Sequence, residues 1–255
     1  MTNPVYDLSD YTDASYATIL VEENGASYET TTDWNLILTE VHVNDPQARK
    51  FSVTVPGRDG ILDLSESLGG VYYENRTIEM HFVCLNYTTE HFHLLASTIR
   101  NAIEGRMCRI SFSDDLGYFW RGRPQVDVSW LEVEGTELII KAEVEPYKYS
   151  ATSSYEAWKW DSFSFVDGVI TQQSDITLDG STETVTLPRD PARGKPTLWL
   201  NSGTVRARLS SESTWHTLKA GANVFPEIRM SADAGVSLLL NGTGSVGVEY
   251  RVGSL

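Results

Sequence analysis

The sequence predicts a mainly β protein, β-rich α+β in its first part: an N-terminal β-barrel or sandwich domain carrying one α-helix, then a C-terminal β-sandwich. Three observations predict it. Apolar and polar residues alternate in run after run of the first half, as in half-buried strands. One stretch alone switches to helical spacing. The second half strings short β-rich runs between turn residues, with no helix-length period.

A chain of 255 residues exceeds the usual single domain, so two are expected, each large enough for its own core. With 41% hydrophobic and 22% charged residues the composition is that of an ordinary globular protein. No apolar run approaches the roughly 18 residues that span a bilayer. The acidic opening, Met1 to Asp13, is unlike a secretory signal, so the protein is expected to stay where it is made or to leave by another route.

In order along the chain, the first alternating runs are Phe51, Val53, Val55 and Ile78, Met80, Phe82. The helix follows, over about Thr89 to Glu104, with Phe92, Leu95, Ile99, Ala102 and Ile103 on one apolar stripe. Thr88 or Thr89 caps its start and Glu90 complements its positive end. Gly105 supplies a left-handed stop, and Arg106 a cation at the negative end. Two more strands follow, through Val126, Val128, Trp130 and through Leu138, Ile140, Ala142, Val144. The polar stretch Ser150 to Ser154 marks the boundary, giving domains 1–150 and 151–255. Beyond it, strands are expected at Thr184–Leu187, Thr197–Leu200, Val205–Leu209, Val236–Leu240 and Val246–Val252. Asp-Gly, Asn201-Ser-Gly203, Ala220-Gly-Ala-Asn223 and Asn241-Gly-Thr-Gly244 are read as the turns between them.

The chemistry is sparse. Cys84 and Cys108 sit in phase with apolar neighbours, and with no CxxC pair they are read as buried, reduced thiols. His91 and His93 point about 200° apart on a helix and cannot share a metal. His42, His81 and His216 have no ligand cluster of recognisable spacing. The carboxylate pairs Asp114 with Asp115 and Glu132 with Glu134 are too ordinary in spacing to mark a glycosidase, and no GxSxG, HExxH, GxxxxGK[ST] or GxGxxG occurs. Sequons at Asn75, Asn86 and Asn241 are read as chance. No catalytic residue, metal site or cofactor is therefore assigned. Trp158, Trp160, Trp199 and Trp215 are the residues through which a carbohydrate-binding module would act, with Trp199 equally a core residue of its strand. A cell-wall hydrolase is the remaining rival.

The formal net charge of −15 excludes a protein that grips free nucleic acid through a basic face. Residues 1 to 150 hold 24 acidic and 11 basic side chains, residues 151 to 255 hold 11 and 9, so the two parts present different surfaces. An acidic face lining a passage would let a polyanion slide by. A solvated face kept for solubility is the plainer reading.

The segment from Phe51 to Cys84 is a strand, an ordered excursion and a return strand. It carries Pro56-Gly57-Arg58-Asp59-Gly60, Leu62-Asp63-Leu64 and Tyr73-Glu74-Asn75-Arg76 in that order. Later come the helix end Asn101 to Arg106, Phe112-Ser-Asp-Asp115, Tyr118-Phe-Trp-Arg-Gly-Arg123 and Glu145-Pro-Tyr-Lys148. Over residues 30 to 150 this resembles the N-terminal domain of siphophage distal tail proteins. Lys219 to Val224, Leu240 to Gly244 and Val248 to Leu255 are similar to that family's galectin-like second domain. Residues 1 to 30 and 150 to 195 depart from the pattern, so contacts made there are particular to this chain.

The resemblance implies a structural protein of the virion, made in the bacterial host cytoplasm and placed at the distal end of the tail. It implies a homohexameric ring joining the tail tube protein to the tail-associated fibre or hub protein, with a receptor-binding protein as a further candidate partner. DNA would cross the ring without specific binding, and no membrane is involved. The family carries no catalytic residues. Because a cyclic ring needs two different patches per subunit, the Gly57 to Gly70 excursion and the Tyr118 to Arg123 loop are the candidate oligomer interface, through Arg58, Asp59, Tyr73, Tyr118 and Arg123. The alternative function is a carbohydrate-binding module for host-surface attachment.

Overall fold

The computed structural model describes residues 14–67, 69–84, 89–131, 135–156 and 175–255. The chain divides between Pro146 and Tyr147 into two units, each with its own hydrophobic core. In the first unit the elements are β1 (Ala17–Val21), β2 (Ser27–Glu29), α1 (Thr30–Trp34), β3 (Leu36–Val43), β4 (Ser52–Val53), β5 (Leu62–Asp63), β6 (Arg76–Cys84), α2 (Thr89–Ile103), β7 (Cys108–Phe112), β8 (Tyr118–Leu131) and β9 (Gly135–Ser150). The last residues of β9, from Tyr147, belong to the second unit. Seven strands form one antiparallel sheet in the order β2-β1-β7-β8-β9-β6-β3, and β4 with β5 makes a separate ribbon. The Leu38 amide donates to the Ser15 carbonyl, so β3, at one end of the path, reaches the chain just ahead of β1. The sheet is curled.

The strongest alternation in the sequence forms the core. Ile78, Met80 and Phe82 of β6 lie opposite Ala142, Ile140 and Leu138 of β9, and all are fully buried. α2 lays Phe92, Leu95, Ala96, Ile99 and Ile103 into the same core, and Gly105 ends it at φ +70°. Cys84 and Cys108 are free, and burial pushes their thiols up to about 12 and about 11. A second, five-residue helix, α1, was not visible as a period. Its Thr30 is buried and accepts a hydrogen bond from the Ala17 amide, and Trp34 stacks on Tyr28. The expected caps at Thr88, Thr89 and Glu90 and the side chains of Val128 and Trp130 lie outside the described residues.

Phe51, Val53 and Val55 depart from expectation. They alternate as a half-buried strand should, yet all are exposed, and only Ser52–Val53 is strand. On the apolar face of the two-stranded ribbon Phe51 and Val53 are exposed, while Leu62 and Leu64 are half-buried.

The second unit contains β10 (Ile176–Leu187), β11 (Thr197–Leu209), β12 (His216–Thr217), β13 (Gly221–Asn223), β14 (Val236–Glu249) and β15 (Gly253–Ser254). Its sheet runs β10-β14-β11-β12, with β13 also on β11, while β15 pairs with the end of β9. Three of the expected turns prove to be bends inside long strands. Asp179-Gly180 lies within β10, Asn201-Ser-Gly203 within β11 and Asn241-Gly-Thr-Gly244 within β14. Registers shift between Asp179 and Thr182 and between Leu200 and Ser202, as at β-bulges. The shifts keep apolar side chains of both arms of β10 and β11 facing one core, Leu178 with Val185 and Leu200 with Val205, alongside Leu240 and Val246 of the unshifted β14. A single sheet folded along this crease thus supplies both layers of the sandwich. Ser150 to Ser154, the polar stretch at which the sequence places the domain boundary, packs within the second unit: Ser154 is buried, its hydroxyl donating to the Val248 carbonyl and accepting from the Tyr250 amide.

Asp190 is fully buried and has no counterpart in the sequence reading. Its carboxylate accepts from the amides of Ala192, Gly194 and Gly253, fastening β15 to the loop before β11.

The crease requires glycine. A Cβ at Gly203 would lie 1.9 Å from the Thr243 carbonyl oxygen, and one at Gly244 would lie 2.0 Å from that of Ser202, at φ +84° and +135°. Gly203→Ala or Gly244→Ala is therefore expected to destabilise the second unit by at least about 3 kcal/mol. Gly25→Ala, at φ +71° with open space around it, should cost only about 1 kcal/mol. Denaturant melts of the three variants check this, and equal losses at all three positions would show that backbone approach is not what the glycines serve.

Candidate functional site

Residues 44 to 75 leave the sheet between β3 and β6 as an arm. At its base the Glu74 amide donates to the Gln47 carbonyl and the Arg49 amide to that of Tyr72, while Ala48 bridges Tyr73. Arg49 pairs with Glu74 at 2.9 Å. The buried Arg76 donates Nε to the Asn44 carbonyl at 2.7 Å and lays its guanidinium 4.8 Å from the Trp120 ring, so the arm is rooted in the body. Further out, Phe51 N is capped by the Ser65 hydroxyl and Leu64 N donates to Phe51 O. The Ser65 hydroxyl and amide hold the Asp63 carboxyl below the usual carboxylate range. At the tip Arg58 N donates to Val55 O, and Pro56 then Gly57 at φ +82° give the geometry of a type II turn.

The pleat decides what the arm displays. Val53 lies opposite Leu62, and the same register sets Phe51 opposite Leu64, so these four share a face. Phe51 is 59% exposed, and Ile61 beside the tip is 66% exposed. Val53, Val55, Val71 and Tyr72 add to the exposed apolar surface of the same arm.

Of the five sequence-predicted interface residues, the arm takes three and β8 takes two. Arg58 and Asp59 are exposed at the tip, and Tyr73 is half-buried at the base. Tyr118 and Arg123 do not stand on a loop, because Tyr118–Leu131 is a strand whose Cys108↔Gly122 and Ile110↔Trp120 pairing to β7 draws them into the sheet. Arg123 donates to the Gly105 carbonyl at 2.6 Å, closing the C-terminal end of α2. In the sheet β9 lies between β8 and β6. The two groups are separate patches.

A row of ion pairs across four adjacent strands was missing from the sequence reading. Glu22, just after β1, accepts from Arg109 of β7 at 2.9 Å and from Arg121 of β8 at 2.9 Å, and Arg121 reaches Glu145 of β9 at 2.6 Å. The Arg121 hydrogen bond, then that of Arg109, holds the Glu22 carboxyl below its usual range against the opposing effect of burial. Glu22 and Glu145 in turn push the Arg121 guanidinium pKa up. The only sequence signal is that Arg109 and Arg121 each stand where a strand's outward position falls.

The remaining candidates scatter. Asp114 is exposed and Asp115 half-buried beyond β7, and His91 and His93 lie on the exposed side of α2. Among the described residues no group of three His, Cys, Asp or Glu side chains is placed to hold a metal ion. Trp158, Trp160, Asn86, Glu132 and Glu134 lie outside the described residues. Trp199 is half-buried, stacked on Tyr155 and bonded through Nε1 to Glu249 at 2.7 Å. The Trp215 ring carries the guanidinium groups of Arg206 and Arg208, 4.8 and 4.9 Å from its centroid, which makes it a backing for cations rather than a bare platform for sugar.

A curled antiparallel sheet covered by one long helix, followed in the chain by a β-sandwich unit, is a fold shared with a phage structural protein. In particular, the chain matches the crystal structure of the Dit protein (gp 19.1) of phage SPP1, described as a paradigm of the hub adsorption apparatus in phages that infect Gram-positive bacteria. The TM-score is 0.57 at 12% identity, over 94% of this chain and 99% of that one. The baseplate of the anti-feeding prophage also matches, over 57% of this chain and 94% of that one at 8% identity, but its TM-score of 0.29 bears no weight. No protein-family model and no curated protein matches the chain.

Because the carboxyl of Glu22 is held below its ordinary value of 4.5, its contribution to stability is present above that pH and lost as pH falls through the folded value. Glu22→Gln should cost about 1 kcal/mol at neutral pH, kept small by the half-exposed arginines. The difference from wild type should shrink as the pH is lowered from neutral to well below 4.5 and the folded carboxyl takes up its proton. Urea melts of both proteins at the two pH values check the sign, and a deficit that persists in acid would assign it to packing.

Proposed function

We propose that this chain is a ring-forming structural protein of the phage tail tip, without catalytic activity, whose copies associate through the arm. The observation that carries the reading is the exposure of Phe51 and Val53 on the ribbon face they share with the half-buried Leu62 and Leu64, with the exposed Ile61 beside it. A strand pattern with strict alternation specifies a face to be buried. Exposed apolar surface gathered on one projecting element is typical of an interaction site. A second copy is the occupant that closes the account: a head-to-tail contact sets one patch of the subunit against a different patch of its neighbour, and repetition closes a ring. Charge supports it, since Arg58 at the tip makes no ion pair among the described residues and would meet a neighbour whose residues 1 to 150 hold 24 acidic against 11 basic side chains.

On this reading the ring is a homohexamer at the distal end of the virion's tail, assembled from chains made in the bacterial host. It joins the tail tube protein above to the fibre or hub protein below, with a receptor-binding protein as a further partner. The fold shared with SPP1 Dit supports that placement. A net charge of −15 suits a passage that DNA crosses without sticking. The first unit forms the ring, and the second is its galectin-like appendage.

Phe51→Ser combined with Ile61→Ser should leave subunit stability within about 0.5 kcal/mol of wild type, since both side chains are exposed. Ring formation, followed by native mass spectrometry over a concentration series, should fall sharply. Arg58→Glu should weaken it to a lesser degree. Rings formed by both variants at the wild-type concentration would remove the arm from the interface.

A further inference from the structure

The outer face of the folded sheet carries one polar side chain from each of four strands in a single row. Thr182 of β10 lies opposite Asn241 of β14, Asn241 opposite Arg206 of β11, and Arg206 opposite Thr217 of β12. Cross-strand partners share a face, so the row is continuous. Asn241 Nδ2 donates to Thr182 Oγ1 at 3.1 Å, and Arg206 Nε donates to Asn241 Oδ1 at 3.0 Å. The Arg206 guanidinium also rests on the Trp215 ring, beside that of Arg208. It is held at its Nε and against its plane, and its two Nη groups make no hydrogen bond among the described residues.

An open hollow of about 170 Å³ lies along this row, lined by Thr204, Val205, Arg206, Thr217, Asn241 and Gly242. Pockets for drug-sized ligands run from roughly 300 Å³ upward, so this one has room for a unit of monosaccharide size. Gly242 leaves the floor free of side chain, because a Cβ there would strike the Thr204 carbonyl at 2.1 Å. The walls present two hydroxyls and a guanidinium able to bond a polyol, while the Asn241 amide is engaged by Arg206, Thr182 and the carbonyls of Gly180 and Ser181. The paired arginines make this spot cationic on a chain of net charge −15.

We propose that this row binds a glycan or polyol chain bearing an oxyanion, carboxylate or phosphate, with one unit seated in the hollow. The oxyanion accepts from the two free Nη groups of Arg206, whose fork matches two acceptor oxygens and whose orientation is already set. Thr204 and Thr217 take the hydroxyls. This site is independent of the ring: it sits on the second unit and needs no neighbouring copy.

The test is isothermal titration of the full chain with two probes, oligogalacturonate and a glycerol phosphate oligomer. Inorganic phosphate, a neutral maltooligosaccharide and oligoglutamate serve as comparators. Binding of either probe is expected, weakened roughly tenfold or more by Arg206→Gln, and partly retained in Arg206→Lys. Carboxylate and phosphate sources are separated by which probe binds. Thr217→Val, on the short edge strand, provides a second variant should Arg206→Gln disturb folding, and it too should weaken binding at an unchanged melting temperature. The proposal is overturned if neither probe binds, if both variants bind as wild type, or if a comparator binds as tightly as the probes. In the last case the site is one for bare phosphate, neutral sugar or acidic peptide.

Discussion

The pleat of a β-strand sends successive side chains to opposite faces, and this architecture follows from where each apolar face finds cover. In the first unit α2 supplies it, laying Phe92, Ile99 and Ile103 over Ile78, Met80, Phe82 and their partners on β9. In the second unit the sheet covers itself. The arm has the same alternation, yet Phe51, Val53 and Ile61 remain exposed on it. The buried guanidinium of Arg76, bonded to Asn44 and resting against Trp120, holds the arm's root in a fixed direction.

Folding one sheet into two layers places demands on the backbone that side chains cannot meet. At the crease Gly203, Gly242 and Gly244 face carbonyl oxygens at distances no Cβ tolerates, and bulges in β10 and β11 reset the parity of those two strands so that both stay apolar towards the core alongside β14, which needs no reset. Just beyond the crease the same strands carry Thr182, Asn241 and Arg206 outward in register, joined by Thr217 of β12. The bend that builds the core thereby also sets the polar row beside a floor bared by Gly242. Asp190, with three backbone amides on one carboxylate, holds the end of the chain against this scaffold.

Much of this was legible in the residues. The α2 stripe, the strands through Ile78 and Leu138 and the buried cysteines follow from periods that local physics imposes, and the order of motifs from Pro56 to Lys148 pointed to the fold. Two misreadings share a cause. Alternation at Phe51 reports that a face is buried, not by what, and Asn-Gly or Asp-Gly reports a positive φ, which serves a bulge inside a strand as well as a turn. In the Tyr118 to Arg123 part of β8 the aromatic and charged residues hide the alternation that would mark a strand. The Glu22, Arg109, Arg121 and Glu145 row was invisible, its bonded partners being up to 99 residues apart, with a partnership that only sheet order creates. The same holds for Asp190, whose partners are backbone amides that carry no residue signature.

The central claim is that the arm of one copy is covered by another. Cryo-electron microscopy of the wild-type protein at a concentration where it assembles tests this most directly. The account predicts closed rings in which residues 51 to 64 lie against the neighbouring subunit with Phe51 and Ile61 enclosed. Closed rings in which the arm stands free in solvent would contradict it.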